Sequence, residues 1–104
     1  MRRGEVWLAQ VGGKPRPVVV VTRDEVLDVR VNVTVAEITT TVRGLSVEVP
    51  VDPDCGIEQA SVVNCDGLHT VSKRRLTTRL GCVDDATLDG ICEGVAVALG
   101  CDRP

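Results

Sequence analysis

The chain has 104 residues, one Trp, no Phe or Tyr, five Cys and a formal net charge of −3, a size that supports one modest core and a single domain over residues 1–104. No apolar run approaches the roughly 18–20 residues needed to cross a bilayer, and the charged start MRRGEVWLAQ lacks an apolar signal core, so a cytoplasmic protein without membrane contact is expected. The acidic balance argues against a generally basic nucleic-acid coat, but a basic groove stays open because local fields outweigh net charge in binding a polyanion.

With so few aromatics the core must be built from Val, Leu and Ile, which suit a pleated surface. Residues 5–9, EVWLA, alternate as a half-buried strand, and PVVVVT at 17–22 reads as a strand covered on both faces. The link QVGGKPR holds Gly12, Gly13 and Pro15, so a first hairpin is predicted. In NVTVAEIT, 32–39, the residues Val33, Val35, Glu37 and Thr39 share one face, and Thr34, Ala36 and Ile38 the other. VRGLSVEVPV carries a turn at Gly44 and a strand pointing Val47, Val49 and Val51 one way; SVVNCDGLHTV and LTTRLGCV supply two more short strands. This succession predicts a mainly β fold, a small barrel or sandwich, closed by one long helix.

That helix is expected over 85–99. Asp84 can accept the free N–H groups at its start, Asp85 suits the dipole, and Gly100 can end it. Leu88, Ile91, Cys92, Val95 and Leu99 form one apolar stripe for packing on the sheet. Gly90 and Gly94 each weaken a helix by roughly 1 kcal/mol relative to Ala, so they point to close backbone packing.

Charge is unevenly spread. Arg2, Arg3, Lys14, Arg16, Arg23, Arg30 and Arg43 lie in the N-terminal half and Lys73–Arg75 with Arg79 make a second basic knot, whereas 48–66 and 84–93 are acidic. The cysteines at 55, 65, 82, 92 and 101 include no CxxC, and His69 is the only histidine. Zinc-site and thioredoxin-like spacings are therefore missing, and the cysteines read mainly as small buried hydrophobes, with Cys101 the exposed thiol.

The segments MRRGEVWLA, RPVVVVTRD, VAEITTTVRGL, SVVNCDGLHTVSKRRL and DDATLDGICEGVAVALG occur in the order and spacing of the MazF/PemK toxin endoribonucleases, which the chain resembles over nearly its whole length. The resemblance implies an SH3-like β-barrel of the CcdB/PemK type with a C-terminal helix, forming a homodimer. It also implies the toxin of a type II toxin–antitoxin system, neutralised by a MazE-like antitoxin. Its reaction would be sequence-specific cleavage of single-stranded RNA, in mRNA or in loops of tRNA or rRNA. Neither a metal nor another cofactor would be needed, and the products would carry 2′,3′-cyclic phosphate and 5′-hydroxyl ends. Carried over by position, Arg16 and Thr39 are catalytic, and Lys14, Thr40, Arg43, Asp66 and His69 bind RNA.

The chemistry of the first pair can be argued without the family. Attack of a 2′-hydroxyl on the adjacent phosphate needs neutralisation of charge on the phosphoryl oxygens, and a guanidinium fork can hold two of them. Pro15 and Pro17 restrict the backbone on both sides of Arg16, which pre-orients that cation; Thr39 adds a hydroxyl donor. Neither is a base, since Arg stays protonated. His69, whose residue type titrates near neutrality, is a second reading for that role beside its RNA contact. Two departures blur specificity: the QVGG loop is shorter than in many members, and Gly67 stands where glutamine is common. Two other classes compete. A CcdB-like module inhibiting a protein target such as a topoisomerase lacks the Arg and Thr pair, and an SH3-like adaptor needs an aromatic groove that is missing here.

Overall fold

The computed structural model describes residues 1–45 and 47–101. Six antiparallel strands, β1 (Glu5–Val11), β2 (Lys14–Val20), β3 (Asn32–Thr39), β4 (Glu48–Val51), β5 (Ser61–Ser72) and β6 (Leu76–Cys82), form one sheet in the order β4-β5-β3-β2-β1-β6. No ladder joins β4 to β6. The two edges nevertheless meet beyond the end of β4: a Cβ on Gly56 would fall 2.2 Å from the Leu80 carbonyl oxygen, and one on Gly81 2.3 Å from that of Cys55. Backbone there lies against backbone, which only glycine permits, and the sheet is thereby curled into the expected barrel-like shape.

The predicted hairpin is tighter than its loop suggested. Gly12 and Gly13 both take positive φ, +63° and +83°, the conformation of a two-residue type I′ turn. Val11 pairs with Lys14 across it, so Pro15, expected in the link, lies inside β2 together with Pro17.

Both faces of the sheet are covered, as the valine run implied. Val6, Val19, Ala36, Ile38, Val47, Val51 and Val63 pack with Ile91 in one core, and Ala9, Val18, Val20, Val33, Val35 and Leu76 form a second on the other face. Burying each such valine stabilises the fold by about 1.5–3 kcal/mol relative to exposure. A short helix not foreseen from the sequence, α1 (Asp24–Leu27), plugs Leu27 into the second core. β5 is a long strand serving both halves of the sheet, not a short one.

The C-terminal helix, α2 (Asp85–Ala98), starts where Asp84 accepts the Thr87 N–H at 2.7 Å and ends at Gly100, φ +74°. Ile91 is buried and Leu88, Cys92 and Val95 are half-buried, but Leu99 is exposed because it lies beyond the last turn. Gly94 meets the tight-packing expectation: its added Cβ would stand 2.6 Å from Cys65 Sγ, whereas Gly90 has only an ordinary contact, 3.6 Å, with Val49. Burial, with lesser contributions from Asp66 and Cys92, pushes the Cys65 thiol up to about 11, so it is inert. Cys55 is also buried; Cys101 is exposed as expected, but so is Cys82, on the edge strand β6. Trp7 is half-buried, its indole N–H donating to Glu5. No described helix is long and apolar enough to cross a membrane.

Candidate functional site

Proline placement opens the site. The tight turn makes Val11 and Lys14 a mutually hydrogen-bonded pair, so residues 14, 16 and 18 direct their N–H groups toward β1. Pro15 and Pro17 therefore direct their ring nitrogens the other way, toward β3, where they have no N–H to offer. Pairing of β2 with β3 spans only Val18–Val20 against Glu37–Val35. Beyond Val18 the two strands part, and clefts lie between them.

Side-chain alternation then fills this opening. Arg16 continues the face of Val18 and Val20, and Glu37 and Thr39 continue the face of Val33 and Val35. The second core thus gives way at one end to a polar constellation. One cleft of about 210 Å³ is lined by Arg16, Glu37, Thr39, Arg43, Glu48 and Asp66 among others. A neighbouring one of about 320 Å³ includes Lys14, Arg16, Pro17, Thr39, Thr40 and Ser61. Arg16 and Thr39 line both. Of the seven residues singled out from the sequence, six border these clefts.

The seventh, His69, reaches the site through a residue the sequence reading did not select. The Glu37 carboxylate accepts Arg16 Nη1–H on Oε1 at 2.8 Å, and its Oε2 lies 3.0 Å from His69 Nε2. His69 stands opposite Val35, yet Glu37 stands opposite Asn64: Cys65, Asp66 and Gly67 bulge out of β5 between them. Gly67 leaves room for the carboxylate, since its added Cβ would fall 2.9 Å from Glu37 Oε2. Burial raises the Glu37 pKa, but the hydrogen bond and charge of His69, then the charge and hydrogen bond of Arg16, more than reverse this, holding it below the usual 4.5.

Thr39 closes β3. Its Oγ1 accepts the Thr41 N–H at 3.1 Å, so its own O–H remains to donate toward the cleft. The following loop is organised by Glu48, also missed from sequence, whose carboxylate accepts the N–H of Arg43 at 3.1 Å and of Leu45 at 3.0 Å. Arg43 is thereby tied to the cleft wall through its backbone while its side chain stays exposed. One signal for Glu37 was available: it is the single charged residue in an otherwise apolar-alternating strand, on the face of Val33 and Val35. Among the described residues, no three His, Cys, Asp or Glu side chains group so as to hold a metal ion.

Residues 2–99 match the sequence profile of the PemK-like, MazF-like toxin of type II toxin-antitoxin system. The chain is 41% identical to the probable endoribonuclease MazF5 of Mycobacterium tuberculosis over 97% of its own length and 94% of that protein's. It superposes on the Mycobacterium tuberculosis toxin MazF-mt6 with a TM-score of 0.89 and 40% identity, covering 95% of this chain and 99% of the other. An endoribonuclease in complex with its cognate antitoxin, from a mycobacterial species, also matches at a TM-score of 0.89, with 28% identity over 100% of this chain and 99% of that one.

Proposed function

Since this chain belongs to the PemK-like, MazF-like toxin family of type II toxin-antitoxin systems and is a toxin endoribonuclease, we propose that it cuts single-stranded RNA in the paired clefts of Arg16 and Thr39. The observation that carries this placement is their shared position on both clefts, from strands that prolines have parted. Arg16 gives one N–H to Glu37 and keeps others for the phosphoryl oxygens, and the free Thr39 O–H donates to the same phosphate. Charge developing on phosphorus-bound oxygen is then met by fixed donors, with no step assigned to a metal. Lys14, Thr40, Arg43, Asp66 and His69 contact flanking nucleotides.

The substrate is mRNA or exposed loops of tRNA or rRNA, cut at a short recognition sequence in the cytoplasm. Two copies form a homodimer whose groove crosses the interface; Leu45, exposed on the cleft wall, and Val42, exposed in the same loop, supply apolar surface for that contact. A MazE-like antitoxin neutralises the activity. Inhibition of a protein target in the CcdB manner is not favoured, because Arg16 and Thr39 are both present and grouped.

The test is incubation of purified protein with mixed cellular RNA in EDTA, followed by mapping of new 5′ ends. Cuts at a short recurring sequence in unpaired segments are expected; intact RNA would refute the proposal.

A further inference from the structure

Arg16 clamps and Thr39 donates, but neither can take the proton from the attacking 2′-hydroxyl. From the contacts of its carboxylate in the cleft, we infer that Glu37 is that base. The inference rests on the RNA-cleaving reading above and assigns its missing proton acceptor.

Three observations converge on this residue. Glu37 lines the same cleft as Arg16 and Thr39, so a phosphate held by that pair lies within its neighbourhood. Each carboxylate oxygen has one partner, Arg16 at 2.8 Å and His69 at 3.0 Å, which leaves acceptor sites on an ionised carboxylate that has about four. The side chain is 21% exposed, fixed yet reachable from the cleft.

The other carboxylates nearby fit less well. Glu48 is committed to the backbone N–H groups of Arg43 and Leu45. Asp66 is exposed on the bulge, with nothing to fix its side chain among the hydrogen bonds of the described residues. A carboxylate beside a phosphate clamp also opposes polyanion binding. Its presence there is accounted for if it acts during the chemical step rather than in holding RNA.

The step balances as follows. The 2′-O–H bond breaks and its proton passes to Glu37; the 2′-oxygen forms a bond to phosphorus while the bond from phosphorus to the 5′-oxygen breaks. Water protonates the leaving 5′-oxygen, and Glu37 returns its proton to solvent. Charged and titratable groups facing Glu37 are Arg16 from β2, His69 and Asp66 from β5, Glu48 from β4, and Arg43 from the loop before it. Burial opposes ionisation of Glu37, but the hydrogen bonds and charges of His69 and Arg16 together hold its pKa below the usual 4.5, so it is a carboxylate able to accept a proton at neutral pH.

Single-turnover cleavage in EDTA and binding of an uncleavable 2′-deoxy analogue are measured for wild type, Glu37→Gln, Glu37→Asp and Asp66→Asn. Glu37→Gln keeps an oxygen for Arg16 yet is expected to lose about 10²–10³ in rate, within the usual span for acid–base catalysis, with analogue affinity unchanged or tighter. Glu37→Asp is expected to recover part of the rate. The wild-type rate itself is expected to show no acid limb from pH 8 to 5, whereas a base that titrates within that range would make it fall about tenfold per unit.

A Glu37→Gln rate near wild type, a larger loss in Asp66→Asn, or an acid limb between pH 8 and 5 in wild type would overturn the assignment while leaving the ribonuclease reading intact. Wild type inert on all RNA would remove both. The pH profile needs no variant, so it decides even if a Glu37 variant fails to fold.

Discussion

Arg16 and Thr39 face each other across the point where β2 and β3 cease to pair, and each borders the same two clefts. Thr39 accepts the Thr41 N–H and keeps its proton for the cleft. Thr39→Val preserves shape and removes both functions. Cleavage is expected to slow by about 10²–10³, the scale for losing one fixed donor, with an unchanged circular dichroism spectrum. A collapsed spectrum would make Thr39 structural.

Glycines 90 and 94 are expected to respond in opposite directions. A methyl at Gly94 meets Cys65 Sγ at 2.6 Å and its Cβ at 3.3 Å, so Gly94→Ala is expected to cost about 1–3 kcal/mol through overpacking, against roughly 1 kcal/mol gained in helix propensity. Gly90→Ala meets only Val49 at 3.6 Å and is expected to gain about 0.5–1 kcal/mol. Urea melts of the two variants check the signs; stabilisation by both would contradict the packing described at Gly94.

How much of this was legible in the sequence differs by level. Strand alternation, the Asp84 cap and the Gly100 stop are local, and they stand where the residues placed them. Arg16 and Thr39 were reachable through their motif, and the proline pair marked the spot. Glu37 was not reached, because its meaning depends on long-range register: the bulge at Cys65–Gly67 brings His69 and the glycine's open space to its carboxylate. The same holds for Glu48, whose role rests on a loop closing back on it. The two prolines were read as stiffeners of Arg16; their larger effect, ending the β2–β3 ladder, required knowing which strand lay on their nitrogen side.

Glu48 gives a pH-dependent expectation. Burial opposes its ionisation, but the N–H groups of Leu45, Arg43 and Gly44 and the charge of Arg43 together outweigh that and lower its pKa below the usual 4.5. A carboxylate lowered in the folded state stabilises above its unfolded pKa and loses that contribution as pH falls through the folded one. The loop hold is therefore complete at neutral pH and released in acid. Glu48→Gln at neutral pH should mimic the release, with faster hydrogen exchange at the Arg43 and Leu45 amides and little change in the core strands. Unchanged exchange at both amides would show that the loop is held otherwise.

RNA affinity is expected to depend steeply on salt. If about three to five phosphates are contacted, each Lys or Arg releases counterions, and log affinity falls in proportion. Removing Lys14 or Arg43 should reduce that slope by about one each. A flat response to salt would point to a protein target.

Antitoxin and RNA are expected to exclude one another. The least costly competitor for a cleft lined by Arg16 and Arg43 is a flexible acidic segment that folds on binding, its carboxylates standing where phosphates would. Challenge of a preformed toxin–antitoxin complex with an uncleavable RNA analogue, followed by fluorescence anisotropy, should release the antitoxin. Simultaneous binding with neither weakened would place inhibition elsewhere.

The most direct measurement is single-turnover cleavage of one 5′-labelled RNA in EDTA by wild type and by Arg16→Ala, with the product ends identified. Wild type is expected to leave a 2′,3′-cyclic phosphate and a 5′-hydroxyl, and folded Arg16→Ala to be slower by about 10²–10³. A folded Arg16→Ala protein cutting at the wild-type rate would contradict the site.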